Sequence, residues 1–155
     1  MAIPAEFGYL FRQPLLRDAA YQLQVPSDRA RLHRLSMDIL ETIFDGPPPE
    51  PKPDRWGDLQ CKPHPMDPVA ADMAEHAARI REWESDDDKT LFRREILYLH
   101  RAGAYAEKQF QNQDAIRLWQ VHAEKILKND PGMAAESLRR AGAVTGRSGR
   151  PRSRR

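Results

Sequence analysis

Residues 104–123 read AYAEKQFQNQDAIRLWQVHA, and this stretch decides the fold. Gly103, Ala106, Ala115 and Ala123 are small enough to let two helices approach closely. Phe110 and Trp119 are expected to fill the space between them near the polar turn Gln111, Asn112, Gln113 and Asp114. Upstream, Phe92, Ile96, Leu99, Gly103, Ala106 and Phe110 recur at helical spacing; downstream, Ala115, Ile116, Trp119, Ala123, Ile126 and Leu127 do the same. Asp130-Pro131-Gly132 closes the second stripe. Two facing stripes joined by a short polar turn define an αα-hairpin.

The same periodicity extends outward. A short helix is expected from Met133 to about Ala143, followed by a disordered arginine tail. Before the hairpin, Asp86, Asp87 and Asp88 sit where a helix N-terminus favours negative charge, and a capping cluster explains them better than a metal site does. A preceding helix, capped by Asp67 with Pro68 at its first position, carries Val69, Met73, Ala77, Ile80 and Trp83 on one face. From Gly46 to Pro68 lie eight of the chain's 13 prolines, which predicts an extended, mobile linker. Ser27 is a plausible N-cap for a helix over 28–45, with Leu32, Leu35, Ile39, Leu40, Ile43 and Phe44 as its apolar face. Pro4, Pro14 and Pro26 break the first 26 residues, leaving room for one short helix near 15–23. The class is all-α: a small helical bundle with a central hairpin. Its expected parts are an N-terminal helical segment (1–45), a linker (46–67), a hairpin domain (68–144) and a basic tail (145–155).

With 155 residues, 40% hydrophobic and 31% charged, and a mean hydropathy of −0.76, the chain supports one modest core. A single cysteine, Cys61, forms no internal disulfide, and MAIPAEFGYLF lacks a secretory pattern, so the expected setting is cytoplasmic. No apolar run approaches the roughly 20 residues of a membrane span. The formal charge is +2, but Arg147 to Arg155 holds five arginines and no acid; without them the remainder carries −3. Any phosphate contact would therefore come from Arg147, Arg150, Arg152, Arg154 and Arg155, electrostatically and without base stacking.

Catalytic signals are absent from the sequence. Cys61 and His64 have zinc-ligand spacing, with His76 and Asp67 as conceivable partners, but no second ligand pair follows. There is no G-x-S-x-G motif, and a cysteine in a proline-rich linker lacks a positioned base. No glycine-rich phosphate loop occurs. His33, His100 and His122 fall on predicted helices without a partner motif, and Glu82 and Glu84 suit a solvated helix face. No enzyme activity, cofactor or metal is expected.

Glu107, Ala115, Leu118, Trp119 and Ala123 follow the pattern A-x-x-x-E-x-x-x-x-x-x-x-A-x-x-L-W-x-x-x-A, and Ala135-Glu136-Ser137-Leu138-Arg139 resembles the helix that follows it. In these positions the chain resembles the ANR family and related PerC-like regulators, small bacterial, plasmid and phage proteins. It departs downstream, where Met133 or Ala134 replaces a tryptophan and the cysteine is missing. The resemblance implies a transcriptional modulator that acts by protein contact, with an AraC-type activator as partner and Glu107, Ala115, Leu118, Trp119, Ala123 and Arg139 as the motif residues. Two alternatives stand beside it. One is a tetratricopeptide-like adaptor or chaperone, since Asp130-Pro131 closes a single unit of that appearance. The other is a weak nucleic-acid binder using the arginine tail.

Overall fold

In the computed structural model the described residues are 14–55, 59–85 and 89–148, and they form six helices and one minimal strand pair. The helices are α1 (Pro14–Gln22), α2 (Pro26–Ile43), α3 (Ala70–Arg81), α4 (Thr90–Lys108), α5 (Asn112–Ile126) and α6 (Pro131–Ser148). Between α2 and α3 the chain runs through β1 (Lys52–Pro53), antiparallel to β2 (Leu59–Gln60). The all-α class holds. Each helix from α2 to α6 packs on the next along the chain.

The hairpin forms because α4 and α5 meet where α4 has no side chain. A Cβ on Gly103 would lie 2.9 Å from the Trp119 indole, closer than real contacts allow, so glycine is required for this approach. Trp119 is fully buried, with Ala102, Ala106, Ala115 and Leu118 in the same core. Phe110 is not in it. It sits in the turn after α4 with φ +58° and is 85% exposed, because the left-handed turn directs its side chain away from the helix interface.

Several helix ends also differ from expectation, for local reasons. α2 starts at Pro26 rather than being capped by Ser27, since proline already supplies the φ of a first helical position. Asp67 caps nothing: it lies in a 3-10 turn, Asp67–Val69, where its Oδ2 accepts from the backbone N–H of His64 and its Oδ1 from Arg101. Trp83 follows the end of α3 and is exposed. Asp130 does more than end α5. Its Oδ1 accepts from the N–H of Met133 at 2.8 Å and so starts α6, which runs on to Ser148, beyond the expected end near Ala143. Asp86, Asp87 and Asp88, and residues 149–155 with four of the five tail arginines, lie outside the described residues; the backbone of Arg147 is in α6.

The proline-rich stretch is extended, as its composition predicts, but it is fastened to the bundle. Arg101 of α4, fully buried, donates to the carbonyls of Pro49 (2.7 Å) and Lys62 (3.2 Å) and pairs with Asp67 (2.7 Å). Arg140 of α6 donates to the carbonyl of Leu59. Pro48 and Met66 are buried, and Met66 joins the same core as Met37 of α2 and Met73 of α3. Ion pairs close the rest. Glu95, almost fully buried in α4, binds both Arg81 of α3 and Lys125 of α5, while Glu41 of α2 holds Arg94 and Tyr98 of α4.

Candidate interaction groove

A hollow beside the hairpin is lined by α4, α5 and the start of α6. Phe92, Ile96 and Leu97 from α4, His122 and Ile126 from α5, and Met133 from α6 enclose an apolar groove of about 260 Å³. Pro51 and Leu59 of the extended stretch close one side, and Glu50, Arg93, Asn129 and Asp130 supply a polar rim. Apolar walls with a few polar groups at the edge are the usual make-up of a binding cleft.

Two imidazoles, His100 and His122, lie in the lining, their centroids 5.5 Å apart and their planes inclined at 69°. Burial pushes both down, His100 to about 3 and His122 to about 4, so both rings are neutral at pH 7. Ser137 Oγ lies 2.8 Å from His122 Nδ1 and 2.9 Å from the carbonyl of Met133, so it bridges α5 to the first turn of α6. His122 Nε2 is buried and has no hydrogen-bond partner among the described residues.

Cys61 is 3.4 Å from His100 Nδ1, so the expectation of a linker cysteine with no base in reach is corrected: Arg101 fastens the chain on both sides of it and sets it against α4. Burial raises the thiol and lowers the imidazole, which disfavours the thiolate–imidazolium form that attack requires. The zinc arrangement is not assembled either. His64 turns to the backbone N–H of Met66, His76 meets His33 at 2.8 Å, and no cluster of three metal-ligating side chains occurs among the described residues.

Of the motif residues, Ala115, Leu118, Trp119 and Ala123 are buried in the hairpin, where they hold its helices together. Glu107 is half-buried, and Arg139 is exposed and pairs with Glu136 of its own helix. The structure therefore gathers the motif's apolar members into a core and leaves its charged members apart. Sequence reasoning missed His100, His122, Ser137, Cys61 and Arg101 as one connected set. The available signal was weak: His100 and Arg101 adjoin the α4 stripe, and His122 lies three residues after Trp119 on the α5 stripe.

No protein-family model, curated protein or solved structure matches this chain. No helix among the described residues is long and apolar enough to cross a membrane.

Proposed function

We propose that this chain is a small non-enzymatic regulatory protein that acts in the cytoplasm by binding another protein, in the manner of an ANR/PerC-type transcriptional modulator. The observation that carries the reading is the apolar groove between α4, α5 and α6, to which His122, Ile126 and Met133 of the segment bearing the family resemblance contribute. A partner helix that lays Leu-type anchors at i, i+3 and i+4 into such a groove would bury apolar area against Phe92, Ile96 and Met133 while its polar flanks meet Arg93 and Asp130. The neutral Cys61–His100 pair supports a non-catalytic role. An AraC-type activator is the partner class the resemblance implies.

One observation favours a second reading, the helical adaptor. From α3 to α6 each helix packs on its sequence neighbour, as in stacked helical-repeat proteins. Affinity capture from the native cell, comparing the wild-type chain with Phe92→Glu/Met133→Glu, tests the first reading and separates the two. The regulator reading expects a transcription activator retained by wild type and lost by the variant. Capture of a chaperone client instead favours the adaptor, and an identical protein set on both baits contradicts a role for the groove.

A further inference from the structure

The groove's walls are apolar, yet its lining holds one polar atom that the rest of the chain leaves unpaired. His122 is fully buried, and its two ring nitrogens differ: Nδ1 lies 2.8 Å from Ser137 Oγ of α6, whereas Nε2 has no hydrogen-bond partner among the described residues. Among those residues, no other side chain lining the groove leaves a buried polar atom without a partner. A buried nitrogen in that state is costly, and in a folded protein it calls for an explanation. Packing does not supply one. The rings of His100 and Trp119 meet His122 edge-on, at 5.5 and 6.1 Å between centroids, which holds the imidazole in place and gives Nε2 no partner. The unfilled space that adjoins His122 is the groove.

The lining selects what can fill that space. Phe92, Ile96, Ile126 and Met133 favour an apolar body. A volume of about 260 Å³ lies just below the roughly 300–1,000 Å³ of sites for drug-sized ligands, which sets that body at about two fused rings. Nε2 donates in one imidazole tautomer and accepts in the other, and a hydroxyl serves either. A charged head would be desolvated beside two imidazoles that are neutral at pH 7 and cannot offset it. We infer that the groove is a binding site for a small neutral molecule with an apolar ring body and one hydroxyl, the hydroxyl hydrogen-bonded to His122 Nε2. This goes beyond the partner-helix reading and does not rest on it: both use the apolar walls, but only the small molecule needs the imidazole nitrogen.

Calorimetric and NMR titration of the full chain with 2-naphthol, naphthalene and 2-naphthoate tests it. 2-Naphthol is expected to bind with a dissociation constant below about 1 mM. It should bind at least ~tenfold more tightly than naphthalene, because only the hydroxyl pairs the buried nitrogen, and more tightly than the charged 2-naphthoate. The nitrogen-15 shift of His122 Nε2 is expected to move several times further with 2-naphthol than with naphthalene. His122→Phe, which keeps a ring and removes the nitrogens, is expected to cut the preference for 2-naphthol to about twofold or less with unchanged helical circular dichroism. Should that variant fail to fold, the ring shift in the wild-type chain decides. The inference is overturned if 2-naphthol does not bind at about 1 mM, or if naphthalene or 2-naphthoate binds as tightly. An Nε2 shift indifferent to the hydroxyl, or a folded His122→Phe that keeps the preference, overturns it too. Capture of a partner protein by the groove stands or falls separately from each of these results.

Discussion

Helices α2 and α4 both carry a clear apolar stripe, and the fold treats them in opposite ways. In α4 the stripe turns inward: Leu99, Ala102, Gly103 and Ala106 are buried, and Gly103 admits the Trp119 ring of α5. In α2 the expected face splits: Leu32, Leu35, Ile39 and Ile43 turn outward, while Leu40 and Phe44 pack on the core beside the buried Ala30, Met37 and Glu41. The difference lies in the cross-links. Glu41 accepts from Arg94 and Tyr98, His33 meets His76, and Arg34 pairs with Glu84, so three polar attachments on one face of α2 fix its rotation. A stripe tells that a helix has a face to bury; the polar residues on its other face decide against what.

Substitutions at the hairpin are expected to produce the largest losses. Trp119→Ala removes the fully buried centre of the core and should destabilise the fold by about 3–5 kcal/mol in urea unfolding. If the unfolding midpoint did not move, the inward assignment of the α5 stripe would be wrong. Arg101→Leu leaves Asp67 and the carbonyls of Pro49 and Lys62 without their donor and should cost about 3 kcal/mol. The same variant should become more sensitive than wild type to limited proteolysis between residues 46 and 67; equal protection would mean that Arg101 is not what holds the stretch. Gly103→Ala should cost about 1–3 kcal/mol by overpacking against the indole, which thermal melting would register.

Acid should weaken the fold. Burial holds His100 and His122 below their ordinary 6.5 in the folded chain, so the unfolded chain binds more protons as pH falls. Their contribution is complete above about pH 6.5 and is lost progressively as pH drops toward about 4 and then about 3. His33 and His76, also lowered chiefly by burial, act in the same direction at the α2–α3 contact. Urea midpoints measured from pH 7 to 4 should therefore fall, and His122→Gln should flatten part of that fall; a midpoint that rises on acidification would refute the neutral pair. The smallest effect belongs to Phe110, whose positive φ and exposed ring gain nothing from the core: Phe110→Gly should stabilise by roughly 0.5–1 kcal/mol.

The helices and their approximate limits were legible because period and punctuation agree along most of the chain. Trp119, Ala115 and Ala123 could be placed in the core from spacing alone. The rotation of α2 could not, since it is set by partners such as Tyr98, 57 residues away from Glu41. Nor could the groove. Cys61 reaches His100 only because Arg101 captures carbonyls on both sides of it, a contact with no sequence pattern. Phe110 failed for a local reason: an apolar residue at helical spacing reads as a stripe member until the turn itself is seen to take a positive φ.

The contrast between the two stripes can be tested most directly by one pair of variants measured together. Leu118→Ser in α5 and Leu35→Ser in α2 exchange the same side chain for the same replacement. Both are followed by urea unfolding. The account predicts a loss of at least about 2 kcal/mol for Leu118→Ser, which is buried, and less than about 0.5 kcal/mol for Leu35→Ser, which is exposed. Equal losses from the two substitutions would contradict it.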